Sequence, residues 1–528
     1  MEVDIIIKNG NIVDGTGKKE FKSDIGIKGD KIVEITNLGE NNIQANKVID
    51  AENLYVCPGF IDTHSHADVA LLNDGQHANG IMQGITTEII APDGLTLAPL
   101  SKENYELYKW YLSGILGVPK NDLDMSSIEK AKLNYHNKTS CNVAIFAGHG
   151  PIRLEILGMK DEPLVGKELE NAKSLLSECF EEGAVGFSTG LSYYPNSFSN
   201  SEEICELMKV AKIYDKPMSI HLRNHNIDRA FHAGGVMEAI EIAKRTETKL
   251  HIEHYKPDFN QSISDVLDPV DKAKSEGIDI TLETYPYPVG SSFPQTFFPS
   301  YFHEGGPKKM LEKLNDTEER KIVISKMIGT HYGDPSNNVW THIVSKKNKH
   351  LEGMLFEEVA DMWKISVEEM LCRVMYEESL GCGFRGAPPR NIKIWREVEK
   401  NVMELLARPD YMIGSDAIPT GGLPHPRAYG CFPRVLGRLR RRYNYPIEQV
   451  IQRITENPAQ RFNLSERGNI KKGFYADIVI FDKDHINDRS SFEDPNIHPE
   501  GIPWVIVNGK VAVENEKTTG ILAGKAIP

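Results

Sequence analysis

Two histidines separated by one residue, His64 and His66, are the side chains of this sequence with the plainest potential for chemistry. They follow the apolar segment 55–61, which predicts a buried β-strand. Residues i and i+2 of a strand point to the same side, so both imidazoles leave the strand end together. The pair therefore predicts a divalent metal site, with Asp62 placed to orient one imidazole. The alternative, two histidines in a polar turn, is opposed by further candidate ligands downstream.

Four more polar side chains stand at the ends of other predicted strands. Asp93 follows the second strand and His221 ends the fifth, while His254 ends the sixth and Asp416 ends the eighth. A hydrogen-bonded core histidine is the alternative interpretation for any single imidazole. The joint occurrence of four histidines and two aspartates at corresponding strand ends favours one shared metal centre.

Imidazole and carboxylate ligands suit one or two Zn²⁺ ions and, less selectively, Mn²⁺, Fe²⁺ or Co²⁺. Such an ion lowers the pKa of a bound water from roughly 15.7 toward about 7 and polarises a substrate carbonyl. Asp416 is the natural proton carrier, because it could take a proton from that water and donate it to a leaving amine. This division of roles predicts the hydrolysis of an amide.

The elements that would position these side chains alternate along the chain. Helical patterns separate most of the predicted strands, which end near residues 62, 91, 147, 188, 221, 254, 284 and 416. Eight βα units imply a closed parallel barrel, whose catalytic groups cluster at the C-terminal edge of the strands. The sequence therefore predicts an α/β fold with a (β/α)8 TIM barrel.

Short apolar runs separated by Asn, Gly and Asp occupy both ends of the chain, and neither end has enough strands for a stable sheet alone. We expect residues 1–57 and 466–528 to form one small β-domain of the sandwich or barrel type. Residues 58–465 would form the barrel. The long gap before the last barrel strand predicts an insertion, with a lid over the barrel mouth within about 290–350.

Composition limits the classes of partner. The chain has 528 residues, 40% hydrophobic and 26% charged, and a formal charge of −14, which argues against nucleic acid but not against a small anionic substrate. No apolar run approaches a membrane span, and the N-terminal residues do not resemble a signal peptide. Seven cysteines without a C-x-x-C pair favour a reduced, cytoplasmic protein. The sequence is compatible with a homo-oligomer.

Motifs along nearly the whole chain resemble those of D-aminoacylases, the N-acyl-D-amino-acid deacylases of the amidohydrolase superfamily. The resemblance is carried by PGFIDTHSHAD, GITTEII, NVAIFAGHG, GFSTGLSYYP, HLRN, EHYKPD, ETYPYP, GSDAIPTGGLPHPRAYGCFPRVLGR, ENPAQRF and GNIKKGFYADIVIFD. It implies a metal-bearing (β/α)8 barrel with a β-domain built from both termini. It also implies metal-binding roles for His64, His66, His221 and His254 and a catalytic role for Asp416.

The resemblance also implies two residues that contact the carboxylate end of the substrate, Tyr193 and Lys256. The alternatives are an exposed tyrosine and a solvated lysine. Arg223 is a third candidate for substrate binding, with a structural ion pair as the alternative. Arg385 is a fourth candidate, because a guanidinium can clamp a carboxylate with two hydrogen bonds.

One position departs from the family pattern. D-aminoacylases have a cysteine ligand in a G-N-C-G turn after the second strand, where this chain has Asp93 in the sequence APDG. A carboxylate can bind or bridge metals, but it is a harder ligand than a thiolate. Hydantoinases and dihydroorotases instead use a carboxylated lysine, and no lysine lies between Glu182 and Asn200.

The leading hypothesis is metal-dependent hydrolysis of a small-molecule amide, an N-acyl-D-amino acid, to a carboxylate and a D-amino acid. A second hypothesis keeps the mechanism but changes the substrate to a cyclic, hydantoin-like amide, a dipeptide with a D-residue or another small amide. A third is a non-catalytic scaffold, which the joint retention of the candidate ligands opposes.

Overall fold

The computed structural model describes residues 2–36, 44–327 and 334–528. Its strands are β1 (Glu2–Ile12), β2 (Phe21–Lys28), β3 (Lys31–Thr36), β4 (Gln44–Asp50), β5 (Tyr55–Pro58), β6 (Phe60–Ser65), β7 (Ile85–Ile90), β8 (Asn142–Ile145), β9 (Ala147–Gly148), β10 (Phe187–Gly190), β11 (Met218–His221), β12 (Leu250–Ile252), β13 (Ile280–Thr284), β14 (Ser291–Ser292), β15 (Asn338–His342), β16 (Gly383–Gly386), β17 (Tyr411–Ile413), β18 (Ile478–Phe481), β19 (Trp504–Val507), β20 (Lys510–Glu514), β21 (Lys517–Thr518) and β22 (Ala526–Ile527).

The α-helices are α1 (Asp68–Asn73), α2 (Ala78–Ile81), α3 (Lys102–Tyr111), α4 (Ser113–Leu116), α5 (Ile128–Tyr135), α6 (His149–Leu157), α7 (Gly166–Glu181), α8 (Ser201–Ile213), α9 (Gly235–Thr246), α10 (Ile263–Ser275), α11 (Ser300–His303), α12 (Gly306–Asn315), α13 (Thr317–Ser325), α14 (Phe356–Trp363), α15 (Val367–Glu377), α16 (Ile392–Leu406), α17 (Arg427–Pro433), α18 (Arg440–Arg442), α19 (Ile447–Ile454) and α20 (Glu456–Arg461). A π-helical turn, Arg434–Leu439, joins α17 to α18. Among the described residues, none of these helices combines the length and apolarity needed to cross a bilayer.

Two parallel sheets contain the barrel strands, in the orders β8-β7-β6 and β17-β13-β12-β11-β10-β9. β8 and β9 are two parts of one strand, interrupted at Phe146. At the other junction, the amide of Asp416 donates to the carbonyl of His64 at 2.8 Å, and the amide of His66 donates to the carbonyl of Ala417 at 2.9 Å. These pairings link the two parallel sheets, and the predicted α/β fold class is confirmed.

The barrel strands are buried along their length because helices cover their outer faces while side chains fill the interior. Every residue of β6, β7 and β10 is buried. The polar side chains of these strands, such as Asp62 and Glu88, are therefore buried and pair with other groups of the protein.

Strands from both ends of the chain share one sheet of nine strands, in the order β21-β20-β19-β18-β5-β1-β2-β3, with β4 paired to β1. β18 lies antiparallel to β5, with Ile478 opposite Pro58 and Phe481 opposite Tyr55. A single residue, Gly59, separates β5 from the first barrel strand, and its amide donates to the carbonyl of Asp477. A side chain at Gly59 would overlap Thr86.

The last strand, β22, does not belong to this terminal sheet. Ala526 and Ile527 of β22 pair in parallel with Val143 and Ala144 of β8. β10 pairs with β9 and not with β8, so an edge of β8 is free to accept β22. The domain limits expected at residues 57 and 466 stay predictions, and β22 lies on the barrel side of that division.

The insertion runs from β13 to β17 and contains β14–β16 and α11–α16. β14, β16 and β15 form a small antiparallel sheet. Phe297, Phe384, Phe356 and Trp340 pack together beneath it. The lid expected within about 290–350 includes residues 328–333, which lie outside the described residues.

Candidate metal centre

The structure brings the four predicted histidines and Asp93 together at the C-terminal edge of the barrel. The Asp93 Oδ2 atom lies 3.4 Å from His66 Nε2. Its Oδ1 atom lies 3.8 Å from His221 Nδ1, 3.8 Å from His254 Nε2 and 3.9 Å from His64 Nε2. Apart from the H-x-H pair, these side chains come from the ends of different strands, so the alignment of the parallel strands assembles the cluster.

Asp416 also lies next to the H-x-H pair. Its Oδ1 atom is 3.6 Å from His64 Nε2 and 3.4 Å from His66 Nε2. Its Oδ2 atom is 2.9 Å from Nη1 of Arg427, a buried residue that the sequence analysis did not single out. The carboxylate is therefore held between a guanidinium and the imidazoles.

The backbone turns sharply where three of these side chains enter the site. The φ angle is 57° at Asp93, 36° at His254 and 53° at Asp416. Residues other than glycine adopt this left-handed region at an energetic cost, and such conformations concentrate at functional sites. Each turn ends a strand and directs its side chain into the cluster.

Glu283, another residue missed by sequence reasoning, fixes the orientation of His64. Its Oε1 atom lies 2.6 Å from His64 Nδ1, so the Nε2 atom of the ring faces the cluster. Its Oε2 atom lies 3.2 Å from His251 Nε2. The signal available in the sequence was an acidic residue inside the predicted seventh strand.

The prediction that Asp62 orients an imidazole is wrong. Its carboxylate accepts hydrogen bonds from the backbone amides of His64 and Ser415, at 3.2 and 2.8 Å, and from the Ser415 hydroxyl. Asp62 therefore holds the ends of β6 and the β17 segment together, while Glu283 orients the His64 ring.

Glu253 is a further carboxylate at the centre that the sequence analysis missed. Its Oε1 atom accepts a hydrogen bond from the Ser219 hydroxyl at 2.7 Å and from the Asp93 amide at 3.4 Å. Its Oε2 atom is buried and has no hydrogen-bond partner in the described part of the chain. One potential ligand atom each from His64, Asp93, Glu253 and His254 lie within 4.8 Å of one another.

The electrostatics of the cluster favour a cation. Burial raises the pKa of Asp93, Glu283 and Asp416, but neighbouring imidazoles outweigh it and hold the pKa of Asp93 and Glu283 well below the usual range. Burial likewise raises the pKa of Asp416, while the Arg427 guanidinium and the imidazoles bring it down to about 2. In this buried site Asp93 thus faces all four imidazoles as an ionised carboxylate, while Asp416 lies beside His64 and His66.

The donor set fits one or two divalent metal ions. The buried Asp93 Oδ1 and Glu253 Oε2 atoms lack hydrogen-bond partners among the described residues, although buried polar atoms are normally satisfied. One group comprises His64, Asp93, Glu253 and His254, and a second comprises His64, His66 and Asp416. Imidazole and carboxylate in these numbers are the ligands of catalytic zinc and related ions.

Comparison with known proteins identifies relatives of this chain. The chain matches the family described as "Amidohydrolase family" over residues 47–121 and 342–513. It is 27% identical to a D-aminoacylase of Alcaligenes xylosoxydans xylosoxydans, over 99% of this chain and 97% of that protein. Along nearly its whole length the chain is similar to D-aminoacylases of the amidohydrolase superfamily.

Two solved structures resemble this chain over essentially their whole length. One is an N-acyl-D-glutamate deacylase from Bordetella bronchiseptica, complexed with zinc and a phosphonate inhibitor described as a mimic of the tetrahedral intermediate. It is 25% identical, with a TM-score of 0.82 and full coverage of both chains. The other is a D-aminoacylase with a binuclear metal centre, 26% identical with a TM-score of 0.79 and 99% coverage of both chains.

Tyr193, a predicted substrate contact, lies beside the candidate metal centre. Its ring centre is 4.8 Å from that of His221 and 5.9 Å from that of Phe293, against which it stacks. The tyrosine is buried, so the alternative of an exposed residue is excluded.

Lys256, the second predicted contact, lines a cavity of about 210 Å³ beside the centre. The same cavity is lined by His254, by Asp416 and, from the insertion, by Asn337, Asn338, Gly386 and Ala387. Lys256 Nζ donates to the carbonyls of Tyr287 at 2.6 Å and Tyr285 at 3.3 Å. Burial and the nearby Arg427 lower the pKa of Lys256 to about 7.

Arg223 does not occupy a substrate-binding position. Its Nε atom donates to both oxygens of Glu238, at 3.1 and 3.0 Å, and its Nη atoms donate to the carbonyls of Ser197 and Ser199. Protein acceptors thus bind the Nε and both Nη atoms of the guanidinium. The structure therefore favours the structural ion pair over the substrate contact that we expected.

Arg385 also departs from its expected role as a carboxylate clamp. Its Nη2 atom donates to the carbonyl of Phe492 at 2.9 Å, and its guanidinium lies 4.9 Å from that ring. The neighbouring Gly386 lines the cavity, whereas Arg385 does not. We therefore assign Arg385 to the packing behind the cavity wall.

Replacing Glu283 by glutamine tests the bond that orients His64. We expect Glu283→Gln to lower zinc affinity by about 10- to 100-fold, because an amide holds the imidazole less strongly than a carboxylate does. The measurement is competition for zinc with a fluorescent chelator. Glu88→Gln is the matched control, since Glu88 forms a similar buried pair with His77 outside the cluster. Unchanged zinc affinity in Glu283→Gln, or an equal loss in the control, would contradict the assignment.

Proposed function

We propose that this protein is a metal-dependent hydrolase that cleaves the amide bond of N-acyl-D-amino acids and releases a carboxylate and a D-amino acid. The observation that carries the proposal is the convergence of four imidazoles, Asp93 and Asp416 at the mouth of the barrel, next to a cavity lined by Lys256. The relatives support the class of substrate, because they are named for deacylation of D-amino acids.

His64, His66, Asp93, His221 and His254 would hold the metal ions, with Glu253 as an additional carboxylate. When bound, a divalent ion polarises the amide carbonyl and lowers the pKa of water. Zinc is the first choice because it is the metal in the related deacylase complex. Imidazole and carboxylate also bind Mn²⁺, Fe²⁺ and Co²⁺.

Asp416 moves the proton. Its pKa of about 2 keeps the carboxylate ionised at neutral pH, so that Oδ1 can accept a proton from the attacking water. The same atom then returns the proton to the nitrogen of the leaving amine. Arg427 holds Oδ2, which leaves Oδ1 directed toward His64 and His66.

Lys256 and Tyr193 would position the substrate. The Lys256 ammonium shares the cavity with Asp416, and a substrate carboxylate placed there would favour the charged form of the lysine. Tyr193 packs against His221 on another side of the centre. Together they would orient the carboxylate end of the amino acid while the acyl carbonyl lies at the metal centre.

We further propose a cytoplasmic location and no nucleic-acid partner. All seven cysteines are buried and free, which suits a reducing compartment. The formal charge of −14 disfavours binding to phosphate backbones.

The deciding experiment is a substrate panel for the purified chain reconstituted with Zn²⁺, Mn²⁺ or Co²⁺. The panel contains N-acetyl derivatives of the D- and L-forms of the same amino acids, together with hydantoins and cyclic dipeptides. We expect free amino acid to be released from N-acetyl-D-amino acids with a strong preference over their L-forms. A strict preference for the L-form, or hydrolysis of the cyclic amides alone, would overturn the proposal.

A further inference from the structure

A second cavity, outside the metal centre, is rich in arginine. It has a volume of about 490 Å³ and is lined by six arginines: Arg390, Arg396, Arg434, Arg438, Arg442 and Arg489. We call it the arginine cavity. Its walls come from the start of α16, the helical segment after α17 and the chain around Phe492, and its size is that of a small-molecule site. None of the candidate metal ligands lines it.

The arginine cavity carries more positive than negative charge. Arg396, Arg434 and Arg442 converge on Glu399. The buried carboxylate of Asp488 is shared by Arg434 and Arg438. Four arginines therefore share two carboxylates, in a chain whose formal charge is −14.

Two further arginines at the rim are still less compensated. Arg390 forms no ion pair within the described ranges, and the Nε atom of Arg489 lies 3.9 Å from the Oε2 atom of Glu500. Glu493 is the other acidic residue on the lining. The surplus charge of the cavity thus resides on exposed guanidinium groups that a ligand can reach.

The deeper part of the cavity is held in place before any ligand arrives. Arg434 Nε donates to the carbonyl of Pro286 at 3.1 Å. Its guanidinium lies 5.0 Å from the ring centre of Tyr287 and 5.4 Å from that of Trp395. Side chains ordered in this way lose little conformational freedom on binding, which favours affinity.

We propose that the arginine cavity binds a small molecule that carries a phosphate group. Planar guanidinium groups match the oxygens of phosphate with paired hydrogen bonds, and two exposed ones, Arg390 and Arg489, line this cavity. The aromatic and proline side chains Tyr287, Trp395, Phe492, Pro388 and Pro389 supply an apolar wall for the remainder of the ligand. This site is separate from the amide-hydrolysing centre and does not depend on the function proposed for it.

The test is calorimetric titration of the metal-loaded full chain with adenosine monophosphate, which carries one phosphate and an aromatic base. The variant is Arg390→Gln/Arg489→Gln, because both residues are exposed and neither lies at the metal centre. The matched control is Arg245→Gln/Arg373→Gln, which removes the same charge from exposed arginines on α9 and α15. Metal content and hydrolysis are measured in both variants to show that the fold and the centre persist.

We expect the wild type and the control to bind adenosine monophosphate with equal affinity. The rim variant should bind at least about tenfold more weakly, because the loss of a charge-assisted contact costs about 1.4 kcal/mol or more. Adenosine without phosphate should not bind. Absence of binding to the wild type, or equal binding by the rim variant, would overturn the proposal. Succinate binding as tightly as the phosphate ester would overturn the assignment to phosphate.

Discussion

Asp416→Asn is expected to reduce kcat/KM by about 10²- to 10⁴-fold while the metal stays bound. The amide is nearly isosteric with the carboxylate but cannot accept the proton from water. Since four imidazoles and Asp93 remain, metal content measured by plasma mass spectrometry should match that of the wild type. The loss should fall on kcat more than on KM, because the removed interaction acts in the transition state.

The control for Asp416→Asn is the same change at Asp268, an exposed carboxylate on α10 without an ion pair in the described parts of the chain. It should leave kcat/KM unchanged. Full activity of Asp416→Asn would remove the proton-transfer role from this residue. Loss of metal together with activity would instead show that Asp416 is chiefly a ligand.

Asp93→Ala should have the second large effect. Asp93 faces three imidazole nitrogens at 3.8–3.9 Å and a fourth at 3.4 Å, so its removal takes away the carboxylate that all four histidines surround. We expect most of the bound metal to be lost, and with it activity by at least about 10³-fold, because the metal supplies several kcal/mol of transition-state stabilisation.

Asp93→Cys separates the loss of a ligand from a change in its chemistry. A thiolate is softer than a carboxylate and favours zinc over manganese. Compared with the wild type, this variant should retain metal and raise the ratio of zinc to manganese affinity by at least about tenfold. The ratio is measured by chelator competition, independently of activity. An unchanged or lower ratio would show that Asp93 does not contact the metal.

The positions of the candidate ligands could be predicted because they follow from rules that apply to any parallel barrel. Side chains alternate along a strand, and the C-terminal ends of all strands meet at one edge. These two rules place His64, His221, His254 and Asp416 together without knowledge of which strands are neighbours.

Partners that depend on side-chain pairing across the fold were not predictable in the same way. Glu283 contacts His64 across 219 residues of sequence, and Arg427 reaches Asp416 from a helix beyond the last barrel strand. A polar residue within an apolar strand is a usable signal for Glu253 and Glu283. Arg427 offered no such signal, because arginines are common on helices that follow strands.

Arg223 and Arg385 illustrate the opposite error. The chemistry of a guanidinium is the same whether its acceptor belongs to the protein or to a ligand. Only the fold shows that Glu238 and two carbonyls already surround Arg223, and that Arg385 is directed to the carbonyl of Phe492.

The direct continuation of β5 into β6 through Gly59 has a consequence for biosynthesis. The strand that leads to His64 and His66 begins after a single residue that follows β5, whose neighbour β18 is translated more than four hundred residues later. Contacts this distant form late and slow the completion of a fold. We therefore expect the nascent chain to leave the ribosome with an unfinished rim, and the enzyme to acquire its metal as a released polypeptide.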